Sequence, residues 1–174
     1  DRNAHPHTSQ SGKLAIIHNG IIENFAVLKE ELINRNYKFT SETDTEVLAY
    51  LIEDIRLNEK CDLVEAVRLA LGQVTGAYAI VVLSAFEPHK IIAARKGSPL
   101  VVGIGKDEYF IASDATPIVE HTSQVIYPGE EEIVIVDLNE GIKLITIANK
   151  EKTPYIETLE LNITEVEKGK FEQY

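Results

Sequence analysis

The sequence predicts an α+β fold in which helices pack outside largely antiparallel sheets, and three observations predict it. The first part of the 174-residue chain holds three stretches whose apolar residues recur at helical spacing. From Gly76 onward the pattern changes to short apolar runs broken by turn residues, with little room for crossover helices, which argues against a doubly wound parallel sheet. Several of those runs are apolar on both faces, as in sheets covered on both sides. With 44% hydrophobic and 26% charged residues the chain can bury a sizeable core, and its length suits one domain rather than two.

Residues 14–18 (LAIIH) read as a short strand ending at Asn19-Gly20, a dipeptide that favours a hairpin turn. Asn24 then caps a first helix whose face carries Phe25, Leu28, Leu32 and Ile33. Residues 37–40 (YKFT) read as a short extended segment. Thr43-Asp44-Thr45-Glu46 has capping-box spacing and opens a second helix with the stripe Val47, Leu48, Leu51, Ile52 and Ile55. Asp62, with Glu65 three positions on, starts a third helix carrying Leu63, Val67, Ala70 and Leu71.

Residues 77–84 and 90–95 flank a Glu87-Pro88-His89 turn and read as a hairpin. Residues 99–105 and 108–114 form a second pair. Residues 124–127, a Pro128-Gly129 turn, and residues 131–137 and 141–147 follow. From Asn149 the chain is charged and interrupted by Thr153-Pro154, as in a linker or a peripheral strand. There is no internal repeat.

Charge and composition exclude several function classes. Asp plus Glu outnumber Lys plus Arg by 28 to 17, giving −11, and a negative surface disfavours nucleic acid and anionic membranes as partners. One cysteine cannot form an internal disulfide, and no apolar run approaches the ~20 residues of a membrane helix. A cytoplasmic setting is the expectation. Methionine is absent and residue 1 is Asp, so we expect a chain whose front was removed or a piece of a longer protein.

Cys61 is the sole thiol. A thiol near a helix N-terminus can be acidified, but no His neighbours it, and a small buried hydrophobe is the reading we favour. His5, His7 and His18 are of metal-ligand type; Pro6 and the lack of a third-ligand motif favour loop histidines in polar contacts instead. GSPLVVGIG (residues 97–105) contains G-x-G without the helix and third glycine of a dinucleotide site. The Asn19 amide and the backbone N–H of Gly20 can converge on one oxygen as an oxyanion hole, although spacing alone favours the turn. Asp44 suits a helix start, where carboxylates meet the positive dipole end; holding a substrate ammonium is the alternative.

Taken together, RNAHPH (residues 2–7), HNGIIEN (18–24), SETDTEV (41–47), GSPLV (97–101) and FIASD (110–114) occur in an order that closely resembles the glutaminase domain of the glutamine–fructose-6-phosphate aminotransferases, the glucosamine-6-phosphate synthases. The resemblance covers nearly the whole chain. It implies an N-terminal-nucleophile (Ntn) hydrolase-like fold, a four-layer αββα sandwich, incomplete here at the N-terminus. It implies hydrolysis of L-glutamine to glutamate, with ammonia passed to a sugar isomerase domain that makes glucosamine 6-phosphate from fructose 6-phosphate, in a parent that is a homo-oligomer. No metal or organic cofactor is implied for the glutaminase step. Asn19 and the Gly20 amide would form the oxyanion hole, and Asp44 would hold the α-amino group of glutamine. On this reading residues 1–148 are the glutaminase domain and residues 149–174 its edge and a linker, with FEQY (171–174) entering the isomerase domain.

The departure from that family is at the front. There the nucleophile is an N-terminal cysteine whose own α-amine is the base. Residue 1 here is Asp, so the expectation is a chain without its own nucleophile and inactive alone. The loop that grips the glutamine carboxylate would also precede Asp1. The alternatives are a glutaminase domain of amidophosphoribosyltransferase or asparagine synthetase type, favoured less by IIEN and the full SETDTE, or a non-catalytic binding or scaffold domain of the same fold.

Overall fold

The computed structural model describes residues 3–159. Its longest pairing joins two nine-residue strands, β2 (Leu14–Ile22) and β3 (Gly76–Ser84), antiparallel over their full length from Leu14↔Ser84 to Ile22↔Gly76. Asn19-Gly20 therefore does not make the expected turn. It lies within β2 because β3 supplies a partner for every residue of the strand, and such pairing outweighs a local dipeptide preference.

A seven-stranded antiparallel sheet grows from this pair in the order β1-β2-β3-β4-β8-β9-β10. Its further strands are β1 (His7–Thr8), β4 (Lys90–Lys96), β8 (Glu132–Asp137), β9 (Gly141–Thr146) and β10 (Glu151–Lys152). A second, four-stranded sheet has the order β11-β7-β5-β6, built from β5 (Val101–Ile104), β6 (Tyr109–Ala112), β7 (Gln124–Ile126) and β11 (Glu157–Thr158). The hairpins expected around residue 88 and between residues 99 and 114 are both present. The Pro128-Gly129 turn joins strands of different sheets rather than a hairpin.

Three helices cover one face of the large sheet: α1 (Phe25–Asn34), α2 (Asp44–Glu59) and α3 (Leu63–Leu71). Thr43 and Asp62 cap α2 and α3 through the amides of Glu46 and Glu65, as their spacing predicts. Asn24 precedes α1 without capping it. Its side chain donates to the Gln73 carbonyl at 2.8 Å and accepts from the Thr75 amide at 2.9 Å, tying the helix start to the approach of β3. Ile33 leaves the expected stripe and is exposed, whereas Leu28 and Leu32 are buried. Residues 37–40 form no strand. Tyr37 and Phe39 instead pack on the ring of Tyr50, with centroids 5.6 and 4.8 Å away.

The principal core lies between the helices and the large sheet, where Ile16, Tyr78, Ile80, Ile92 and Ile133 meet Val47, Leu48, Ile52, Leu63 and Val67. Alternate residues of the same strands face the second sheet: Val134, Val136 and Leu144 pack on Val102 and Ile126. The far face of that sheet carries Val101 and Val125, covered by Ile118 from the turn-rich segment 114–122. Gly103 is on this face, where a Cβ would come within 2.5 Å of Ile118, so the glycine of the G-x-G run serves close packing. One region departs from two-sided cover: Ile17 and Ile21, on the inter-sheet face of β2, are 51% and 68% exposed.

Candidate active site

Backbone alternation decides what β2 offers at its outer edge. The Leu14 carbonyl accepts from the Ser9 amide, so the even-numbered residues of β2 turn their N–H and C=O groups toward β1, and odd-numbered ones toward β3. The ladder with β1 ends at Ile16↔His7. Beyond it, the backbone groups of His18, Gly20 and Ile22 point to an edge that no strand among the described residues covers.

Gly20 is fixed there by close approach. Its φ is +135°, and a Cβ would sit 2.1 Å from the Ala77 carbonyl oxygen of β3. Only glycine permits this backbone. The collision also shows that the Gly20 Cα faces β3 in the sheet plane, so its N–H faces away, into the open edge.

Asp44 meets the same edge two residues further on, its Oδ2 accepting the Ile22 amide at 2.8 Å. The carboxylate stands in the first turn of α2, where the helix dipole favours negative charge. Two residues of strand separate this bond from the Gly20 N–H, about 7 Å. Asp44 is thus both a helix-start residue and an edge residue, and the two sequence-derived readings of it are compatible.

Asn19 points the other way. It alternates with the buried His18 and lines a small cavity of about 240 Å³ between the sheets, with Ile17, Ala79, Val81, Leu100 and Ile111 among its walls. Its side chain stands on the inter-sheet side of the edge that carries the Gly20 N–H, and Asp44 comes from the helix side. Strand β2 thus brings Gly20 and Asp44 to one edge, with Asn19 flanking it.

A polar layer supports α2 beneath this edge. The His18 ring is buried, with Nδ1 3.0 Å from Thr45 Oγ1 and 3.7 Å from Asp44 Oδ1. His5 Nε2 lies 3.4 Å from the same Thr45 hydroxyl, and His7 Nε2 lies 3.3 Å from Thr43 Oγ1. Burial first, and then repulsion from neighbouring histidine, lowers the pKa of His5; burial also lowers that of His18 against the pull of Asp44. The histidines are therefore held by threonine hydroxyls. No group of three or more His, Cys, Asp or Glu side chains among the described residues is placed to hold a metal ion.

Glu46 is the residue whose reach the capping-box reading missed. Its carboxylate accepts from the Thr40 amide and hydroxyl, the Ser41 amide and hydroxyl, and the Tyr50 phenol, at 2.7–3.2 Å. Burial pushes its pKa up, but these bonds from Thr40 and Ser41 outweigh it and bring it down to about 2. Burial and the adjoining carboxylate push the Tyr50 phenol up to about 12. The run Thr40-Ser41 ahead of the box was the available signal, as hydroxyls that could face a carboxylate.

Cys61 lies outside this region. It follows the C-cap of α2, about 24 Å from Asp44 along a helix of that length. It packs against the helical core, and burial pushes its thiol pKa up. Cys61 is a partly buried packing residue.

The glutamine amidotransferase domain family matches residues 1–120. The chain is 54% identical over 172 residues to the glutamine–fructose-6-phosphate aminotransferase (isomerizing) of Bacteroides thetaiotaomicron, covering 99% of this chain and 28% of that protein. It is 50% identical over 175 residues to the protein of the same name from Chlorobaculum tepidum, covering 100% of this chain and 28% of that one. Among solved structures it is similar to the glutamine phosphoribosylpyrophosphate amidotransferase from B. subtilis complexed with ADP and GMP, with a TM-score of 0.70 and 28% identity, covering 84% of this chain and 32% of that chain. The chain thus spans less than a third of the length of these relatives.

Proposed function

The chain belongs to the glutamine amidotransferase domain family, and on that premise we propose that it is the glutaminase part of a glutamine–fructose-6-phosphate aminotransferase. Its α+β sandwich is of the Ntn type seen in the amidophosphoribosyltransferase structures. The observation that carries the reading is the β2 edge, where an amide donor at Gly20 and a carboxylate at Asp44 face the same side about 7 Å apart.

L-glutamine matches that spacing. Its α-ammonium and side-chain carbonyl oxygen are five bonds apart, about 6 Å when extended. With the ammonium on Asp44, the carbonyl reaches the Gly20 N–H. As a nucleophile adds to that carbonyl the oxygen becomes an oxyanion, which the Gly20 N–H, held by the strand, stabilises without reorganising, with the Asn19 side-chain amide as second donor from the inter-sheet side. Ammonia leaves, and water then releases glutamate. We assign the ammonia to fructose 6-phosphate on a sugar isomerase domain of the same protein, in a homo-oligomer of the cytoplasm. Within this reading residues 1–148 act as the glutaminase domain, and residues 149–174 lead away from it. In the structure, Glu151–Lys152 and Glu157–Thr158 are edge strands of the two sheets, and FEQY lies outside the described residues. The similarity to the solved amidotransferase supports, as a second reading, a glutaminase domain of amidophosphoribosyltransferase type, but at 28% identity against 54% it ranks behind.

NMR titration of the chain with L-glutamine tests the proposal. Saturable shifts of the Gly20 amide and the Asn19 side-chain amide are expected, with Kd about 1 mM or weaker. L-asparagine, one methylene shorter, produces none at equal concentration. Absence of any glutamine-dependent shift at Gly20 overturns the site. In the whole protein, glucosamine 6-phosphate formation from glutamine and fructose 6-phosphate separates the first reading from the second.

A further inference from the structure

The HNG run puts a histidine beside the edge, and the function proposed above leaves it without a role. His18 stands on β2 between Ile16 and Gly20 with its ring turned to the helices, and it is only 6% exposed. Its two nitrogens differ sharply. Nδ1 faces both Thr45 Oγ1 at 3.0 Å and Asp44 Oδ1 at 3.7 Å. Nε2 is buried and has no hydrogen-bond partner among the described residues.

That asymmetry selects a tautomer. A proton on Nε2 would leave a buried N–H unpaired, which native structures rarely tolerate, whereas a bare Nε2 only leaves an acceptor unfilled. A proton on Nδ1 is bonded to Thr45 and points its positive end at Asp44. The Thr45 hydroxyl, accepting from His18, then has its own proton free to donate to His5 Nε2, 3.4 Å away. The direction of every bond in the row follows from the one orphaned nitrogen.

We propose that His18 is a positioning residue of the glutamine site: as the neutral Nδ1–H tautomer it ties β2 through Thr45 to the first turn of α2 and holds Asp44 over the edge that carries the Gly20 amide. Asp44 is then held at Oδ2 by the Ile22 amide, while Oδ1 faces the positive end of the Nδ1–H group 3.7 Å away. The group binding the ammonium and the strand bearing the oxyanion donor move as one unit. The proposal rests on the glutamine reading for its consequence, but the tautomer and its bond to Thr45 stand on geometry alone.

The experiment has two arms. In the unmutated chain, the ¹⁵N shifts of the His18 ring are expected to report Nδ1–H, and Thr45→Val is expected to change them; an Nε2–H ring overturns the proposal. In the second arm, glutamine affinity is compared between His18→Asn, whose amide nitrogen replaces Nδ1–H, and His18→Gln, whose amide nitrogen falls near Nε2. His18→Gln is expected to weaken binding about tenfold or more, and His18→Asn to stay within about threefold of the unmutated chain. Equal losses in both, with both folded by circular dichroism, mean a merely structural side chain and overturn the proposal, as does undiminished binding by folded His18→Gln. If His18→Gln does not fold, the tautomer arm decides. If the unmutated chain shows no glutamine-dependent shift, the glutamine reading fails while the ring shifts still report on the His18–Thr45 link.

Discussion

The Asp44 carboxylate accepts the backbone amide of Ile22 at 2.8 Å, so a charge at the start of a helix satisfies one amide of an otherwise open strand edge. The bond gives one side chain two duties. It satisfies an edge amide that β1 is too short to reach, and it leaves the second carboxylate oxygen beside His18. The two duties respond differently to substitution.

Asp44→Asn keeps an acceptor for the Ile22 amide and removes the charge. Stability is expected to fall by no more than about 1 kcal/mol, the scale of one neutral hydrogen bond. Glutamine affinity is expected to fall about tenfold or more, because a neutral amide gives an ammonium no opposite charge. Urea denaturation and NMR titration of the same sample measure both. Equal glutamine affinity in the variant would remove Asp44 from the site.

Gly20→Ala acts on the backbone. A methyl 2.1 Å from the Ala77 carbonyl oxygen, at φ +135°, forces β2 and β3 apart in the longest strand pairing of the large sheet. A loss of about 3 kcal/mol or more is expected, or failure to fold. Gly12→Ala is the control: its φ is +70° but nothing lies within 4 Å, so it should cost only about 1–2 kcal/mol. Comparable losses at the two positions in urea denaturation would mean that the close approach at Gly20 is not what requires glycine.

Helices α2 and α3 were legible because their caps and apolar stripes are local signals, and the caps at Thr43 and Asp62 sit where spacing puts them. The strands from Gly76 onward were legible for the same reason. What the chain did not reveal locally is which strands pair. Asn19-Gly20 reads as a turn until β3 is known to run beside it, and Asn24 reads as a cap until Gln73 and Thr75 are known to face it. The site was named by ordered motifs. Its geometry depends on contacts across 22 to 27 residues of sequence, such as Ile22 to Asp44 and His18 to Thr45, which no local pattern encodes.

Cys61 should prove dispensable. Its thiol is held above its ordinary pKa by burial and lies a helix length from Asp44. Cys61→Ala is expected to cost about 1 kcal/mol of packing and to leave glutamine-induced shifts unchanged. Alkylation of the native chain near neutral pH should be slow relative to a free peptide thiol. Rapid labelling, or loss of glutamine binding in the variant, would bring Cys61 back into the functional account.

Glu46 makes the fold acid-sensitive in a defined window. Its carboxylate holds Thr40, Ser41 and Tyr50 together, and the bonds that bring its pKa down to about 2 form only in the folded chain. A group whose folded pKa lies below its unfolded value stabilises fully above the unfolded value, here 4.5, and loses that contribution as pH falls toward 2. Unfolding free energy should therefore fall between those values in the unmutated chain. Glu46→Gln removes the titrating group and leaves five donors facing a neutral amide, so it should cost about 2 kcal/mol at pH 7. The difference between the two proteins should shrink as the pH is lowered, because protonated Glu46 has lost the charge that Gln also lacks. Urea denaturation of both chains at pH 7 and pH 3 measures it. A gap that stays constant would show that Glu46 stabilises the segment before α2 by packing, with its charge contributing nothing.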